Sequence, residues 1–382
     1  FLSGQTSFGQ STINVSRGAF SILNAGSQFG LTEIPEAYFD YLHRLNMDWV
    51  AIGVTLHLDN SVDSTVDRFY STDTNYVPTF PDASIITMVQ QLHSRGYKVL
   101  LSISLDEPWP EDGSVNPALP PGKAAWRYQI GNPVNPVGYT TTEWPWNPTN
   151  PNHQSFVQSF WESYTRAAMY YADICRQQGV EIFQVGAETE QLFRTRAIRT
   201  STNNFRTQFQ ALVDSTRAHY SGKVAYYMHA STWKKAYQTV DTLYHELWRD
   251  VGFDIIGGSV YGLAIPKTTV AQNTIDYLKG EYRRVFTTYF RPVVLKYPTK
   301  PVVILEIGIQ TWNKSSVFAE PDGSLLMNRE DLNLNRVIDA EEVQANMFDA
   351  YYSMADSLGY PQPGFLFGDE ASSDATAHLF SA

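Results

Sequence analysis

The chain of 382 residues carries one cysteine, Cys175. A lone thiol excludes an internal disulfide framework, so burial and hydrogen bonding have to hold the fold. Cys175 lies on a helical pattern with Tyr170 and Ile174 and reads as a buried thiol. No apolar run reaches the ~18 residues of a membrane span, which excludes a membrane protein of that kind. Basic charge is scarce as well: 28 Lys and Arg stand against 39 Asp and Glu, a net charge of −11. That deficit argues against nucleic acid or an anionic membrane surface as partner, because both are bound through Lys and Arg. There is no phosphate-binding glycine loop and no His pair at metalloenzyme spacing, so no catalytic cofactor is expected. No low-complexity linker divides the chain, and 1–382 reads as one domain. It begins at Phe1 rather than Met, from which we expect a processed protein with a secreted or cell-surface location.

What is present is a core-forming composition, 43% hydrophobic, arranged as alternating strand and helix patterns. Short apolar runs occur at Gly18–Leu23, Trp49–Thr55, Lys98–Ser104, Glu181–Val185, Lys223–Met228, Asp254–Ser259, Pro301–Glu306 and Gly364–Phe367. Most are continuous rather than alternating, the pattern of parallel strands buried on both faces. Amphipathic stretches lie between them, at Ala83–Arg95, Gln154–Gln178, Asn204–Tyr220, Ala271–Tyr289 and Glu341–Leu358. Eight strands with intervening helices predict an α/β fold, a (β/α)8 TIM barrel with long βα loops. The Pro-, Asn- and Trp-rich stretch Glu107–Asn152 then becomes a βα loop rather than a domain break. In this fold such loops build the active-site face.

Two carboxylates stand out. Glu188 closes the segment Ile182-Phe183-Gln184-Val185-Gly186-Ala187-Glu188, and Glu306 ends Val302-Val303-Ile304-Leu305-Glu306. Each sits where an apolar strand reaches its C-terminal mouth, about three βα units apart, which fits strands four and seven. A Glu in an otherwise apolar strand is expensive to bury without a purpose. Paired carboxyls suit glycoside hydrolysis: one protonates the leaving oxygen, and the other attacks the anomeric carbon when the two are ~5–5.5 Å apart. Burial and the facing charge are then expected to raise the acid's pKa. Glu190 is the rival of Glu188, two residues into the following turn.

Phe183–Glu190 and Val303–Gly308 resemble the acid/base and nucleophile strands of clan A glycoside hydrolases. Within that clan the chain most resembles the endo-β-mannanase-like glycoside hydrolase family 113. The likeness extends to the stretch from Tyr70 to Asp106, to Phe160–Glu190, and to Phe253–Gly262. It implies a retaining endo-β-glycosidase acting on an oligo- or polysaccharide, with β-1,4-mannan as the first substrate to consider. Glu188 would be the acid/base, Glu306 the nucleophile, and Tyr261 the tyrosine that hydrogen-bonds the nucleophile. Two departures bear on substrate: Ala187 replaces the Asn common before the acid/base, and Gly368 follows Phe367 where many relatives carry Trp. Another β-glycan, or a non-catalytic glycan-binding barrel, remains as an alternative.

Of the nine tryptophans, Trp109, Trp126, Trp144, Trp146, Trp233 and Trp312 fall in loops after strands. There they either stack on sugar rings or pin loops to the barrel; Trp49, Trp161 and Trp248 read as packing. We take Trp109, Trp144, Trp146, Trp233 and Trp312 as substrate-binding candidates. His57, Asp106 and His229 follow strands two, three and five and are placed to reach a sugar hydroxyl. Finally, Asp331, Asn333, Asn335, Asp339 and Glu342 occupy positions one, three, five, nine and twelve of an EF-hand-type loop, with the Val337 carbonyl at seven. A structural calcium ion is expected at 331–342, although Arg336 replaces the usual glycine. The same stretch also reads as an Asx-rich loop capping the helix at Asp339.

Overall fold

The structure is a computed structural model that describes residues 18–20, 33–58, 63–70, 79–106, 130, 153–189, 206–230, 248, 251–267, 270–308, 318–319, 325–326 and 339–367. Its centre is one parallel sheet of eight strands: β1 (Gly18–Phe20), β2 (Trp49–His57), β3 (Lys98–Asp106), β4 (Ile182–Ala187), β5 (Lys223–His229), β6 (Ile255–Ser259), β7 (Val302–Glu306) and β8 (Phe365–Phe367). Neighbours in space follow chain order from β1 to β7, and β8 pairs with β1. The sheet also meets itself. Val303 bridges Gln362 in parallel, and the Ile307 N–H donates to the Phe365 carbonyl at 3.2 Å. These contacts join β7 to β8 and close the barrel, so the expected (β/α)8 fold is present.

Helices α1 (Glu36–Arg44), α2 (Asp82–Ser94), α3 (His153–Gln178), α4 (Arg206–His219), α5 (Ile275–Val285), α6 (Arg291–Lys296) and α7 (Asp339–Leu358) run between the strands. None of the described helices is long and apolar enough to cross a membrane. Side chains alternate across each strand. On β2, Val50, Ile52, Val54 and Leu56 face outward into the layer of helices, while Trp49 and Ala51 face the barrel interior. The interior cluster is completed by Leu100, Ile182, Ala187, Ala225, Tyr227, Ile255, Val303, Leu305 and Phe365. Both faces are therefore dry, which is why the strands read as unbroken apolar runs. Gly257 is required by this packing. A Cβ there would lie 2.5 Å from both Leu305 Cδ1 and Tyr227 Cβ.

The helix read over Ala271–Tyr289 differs in the structure. It begins at Thr274, whose hydroxyl caps the Tyr277 N–H at 3.3 Å, and continues regularly to Val285. A π-turn over Phe286–Phe290 follows, then α6. The cause is Pro292, which has no N–H to give and crowds the carbonyl four residues earlier. A π-turn absorbs that break. Helix α1, which the sequence reading passed over, is only nine residues long and rich in weakly helix-forming aromatics. Cys175 is buried in α3, and burial pushes its thiol well above the usual range. Trp49, Trp161 and Trp248 are packing residues, all buried.

Candidate active site

Both glutamates come directly after a β-bulge. On β4, Gln184 pairs with Ala225 and Ala187 pairs with Tyr227, so β4 carries one residue more than β5 across this step. The bulge takes a backbone carbonyl out of the ladder, and α3 supplies a partner: the Tyr164 hydroxyl donates to the Val185 carbonyl at 2.6 Å. Gly186 makes room for it, since a Cβ would stand 2.3 Å from that hydroxyl. The extra residue returns Ala187 to the interior, and Glu188 follows it, one residue past the end of the strand. Glu188 itself has a φ of 48°, a left-handed conformation that costs a non-glycine residue about 1–3 kcal/mol. Its N–H donates to the Tyr227 carbonyl at 3.0 Å, and the next N–H, of Thr189, donates to the Tyr226 hydroxyl at 3.1 Å. The neighbouring tyrosines of β5 thus hold the turn from both faces of the sheet.

On β7 the pairing moves from Gly258–Ile304 to Ser259–Glu306, leaving Leu305 as the extra residue. Leu305 points into the interior, and the bulge lets Glu306 turn to the same side instead of outward. Glu306 is buried, and the Tyr227 hydroxyl donates to its Oε2. Ser259, the register partner of Glu306, is also buried, and its hydroxyl donates to Glu188 Oε1. Four strands, β4 to β7, therefore converge on two carboxylates, each gripped by a hydroxyl from a strand that is not its neighbour. This arrangement places two acid groups on one rim of a closed barrel, the requirement for acid-assisted displacement.

The rim beside them is braced. His229 is the register partner of Ser259 on β5, and its Nε2 bonds to the Tyr261 carbonyl at 2.9 Å. A carbonyl accepts, so Nε2 carries the proton. Beyond Tyr261 the loop is riveted to α5. Arg284 donates to the Leu263 carbonyl at 2.6 Å, the Tyr277 hydroxyl to the Ile265 carbonyl at 2.9 Å, and Asn273 makes two bonds to the Lys267 backbone. Burial works against the Glu281 carboxylate, but the Arg284 guanidinium and the Ile265 N–H hold its pKa below the usual value.

The model of Glycoside Hydrolase Family 113 matches residues 139–350, more than half of the chain and both glutamate strands. The chain belongs to glycoside hydrolase family 113. It is thus a glycosidase of clan A. A search of curated proteins finds no match. Among solved structures, the chain is similar to a family 113 β-1,4-mannanase in complex, at 18% identity over 96% of this chain and 92% of that one, with a TM-score of 0.57. It is also similar to the family 113 β-mannanase AaManA from Alicyclobacillus acidocaldarius in complex with ManMIm, at 16% identity, 98% and 92% coverage, and a TM-score of 0.55. Endo-glycoceramidase II from Rhodococcus sp. follows at 12% identity, covering 95% of this chain and 74% of that one, with a TM-score of 0.50. Likeness at these identities establishes the barrel, and enzymes named for different substrates share it.

The remaining residues named from sequence fall in three groups. Tyr261 lies two residues past β6, half-buried, on the braced loop. Tyr227, from β5, donates to Glu306. His57 and Asp106 are register partners at the ends of β2 and β3. His57 is buried, with its ring 5.3 Å from that of Phe69, and its backbone forms an antiparallel bridge with Asp67. Trp109, Trp144, Trp146, Trp233 and Trp312 lie outside the described residues, as do Glu190 and positions 331–338 of the calcium loop. Asp339 opens α7 and Glu342 follows within its first turn, half-buried. Sequence reasoning missed Tyr227 and Ser259. Tyr227 was open to discovery, since it shares strand parity with His229 on a strand already recognised.

Proposed function

We propose that this family 113 enzyme is a retaining endo-β-glycosidase, with β-1,4-mannan as substrate. The observation that carries the reading is the pair of glutamates that follow the bulges of β4 and β7, one half-exposed and one buried, joined through Ser259 and Tyr227. In the first step Glu306 attacks the anomeric carbon, the glycosidic bond breaks, and Glu188 gives its proton to the departing oxygen. In the second, Glu188 removes a proton from water, the water oxygen attacks the same carbon, and the bond to Glu306 breaks. The configuration is inverted twice and so retained. The mannan assignment draws on the family, two of whose members in the comparison are named mannanases. We assign contacts with sugar hydroxyls to His57, Asp106, His229 and Tyr261, which follow strands at the C-terminal end of the barrel, and stacking faces to the loop tryptophans.

Incubating the purified protein with a panel of β-glycans, read by reducing ends and product sizes, tests this directly. Internal cleavage of β-mannan is the expected result. Cleavage of another β-glycan would reassign the substrate, and inertness toward all of them would favour a glycan-binding barrel. We further propose a structural calcium ion in 331–342, on the spacing of oxygen-bearing side chains in that stretch of sequence. EDTA should then lower the melting temperature and added calcium restore it; an unchanged melt rejects the site. A polymer substrate also fits a secreted or cell-surface enzyme, which the partition of activity between culture medium and cells would decide.

A further inference from the structure

The hydrogen bonds at the mouth skip strands. Ser259 on β6 reaches past β5 to Glu188, and Tyr227 on β5 reaches past β6 to Glu306. The second bond holds a carboxylate that is already buried within a strand. The first holds one that is not. Glu188 lies one residue beyond β4 in a strained backbone conformation, half-exposed, on a side chain with three rotatable bonds. Ser259, by contrast, is fixed in the sheet between His229 and Glu306 and is 0% exposed. A buried hydroxyl costs free energy unless it is paired, and this one is paired with the acid group.

We propose that Ser259 is a positioning residue for the acid/base, holding Glu188 by Oε1 so that the proton it donates resides on Oε2. The proposal rests on Glu188 being the acid/base. A hydroxyl that donates to one carboxyl oxygen leaves that oxygen as an acceptor in both protonation states. The proton is thereby assigned to the other oxygen, and the orientation survives the proton's departure and return during the two steps.

The test compares kcat/KM for wild type, Ser259→Ala and Ser259→Thr on two substrates. One is a β-1,4-manno-oligosaccharide, whose leaving sugar needs a proton. The other is its 2,4-dinitrophenyl glycoside, whose leaving group does not. Because kcat/KM reports the first irreversible step, the assignment predicts a split. On the oligosaccharide Ser259→Ala should lose roughly tenfold, the size of one charge-assisted hydrogen bond. On the dinitrophenyl substrate it should stay within about twofold of wild type, and Ser259→Thr, which keeps a hydroxyl, should recover most of the loss. An unchanged rate on the oligosaccharide, an equal loss on both substrates, or a threonine variant no better than alanine overturns the proposal. If the alanine variant does not fold, Ser259→Thr against Ser259→Val asks the same question of two side chains of equal size. A folded wild type inert toward both substrates fails the glycosidase reading itself, and this inference with it. An active wild type with an inactive Glu188→Ala and a neutral Ser259→Ala fails this inference alone.

Discussion

The ends of β4 and β7 solve one problem in two ways. Both strands carry an extra residue before the glutamate, but only on β7 does the bulge itself bring the carboxylate to the interior side; on β4 it brings Ala187 there, and Glu188 follows in a left-handed turn. On β7 the glutamate remains in the strand, buried, in register with Ser259 and gripped by Tyr227. On β4 it has left the strand, takes a φ of 48°, and is half-exposed. The difference matches the two tasks proposed for them. A nucleophile has one target, the anomeric carbon, and gains from rigidity. An acid/base must deliver a proton to a leaving oxygen and later take one from water, so it needs reach and contact with solvent. The cost of that reach is a strained residue, tolerated because Tyr226, Tyr227 and Ser259 fix its surroundings.

The largest effect expected from breaking this comparison is at Glu306. Glu306→Gly should reduce hydrolysis by more than about 10⁴-fold, as loss of a covalent nucleophile does. With an activated aryl glycoside, added azide should then enter the vacated space and give the inverted glycosyl azide. Glu188→Ala should cost about 10²–10⁴-fold on polysaccharide but far less on a dinitrophenyl glycoside, and azide should give the retained product. Identical stereochemistry from the two variants would erase the distinction between the strands. Tyr227→Phe should cost roughly tenfold in kcat/KM. An unchanged kcat/KM would mean that the Tyr227 contact does not act on the nucleophile. The smallest effect is on stability: Gly186→Ala forces the Tyr164 hydroxyl away from the Val185 carbonyl and should cost about 1–3 kcal/mol in a denaturant melt. Equal stability of Gly186→Ala and wild type would show that the β4 bulge does not depend on that close approach.

Much of this was legible in the chain itself. All eight strands occur where the apolar runs stand, and Trp49, Trp161, Trp248 and Cys175 are packed as their patterns suggested. The glutamates were visible because carboxylates are rare at the end of an apolar strand. Ser259 was not visible, for a serine after two glycines resembles any strand end. The split of the long helix before β7 was missed because its periodicity continues through Phe286–Phe290, and the constraint comes from Pro292 just beyond.

Sequence alone determined that the strands are parallel and dry on both faces, and their count of eight pointed to a barrel rather than an open sheet. It also determined which strands end in acid. The tertiary structure decided how each acid is aimed and held. Bulges are counts of residues in one strand against its neighbour, and the hydroxyls of Tyr227 and Ser259 act across an intervening strand. Neither relation exists until the strands are laid side by side.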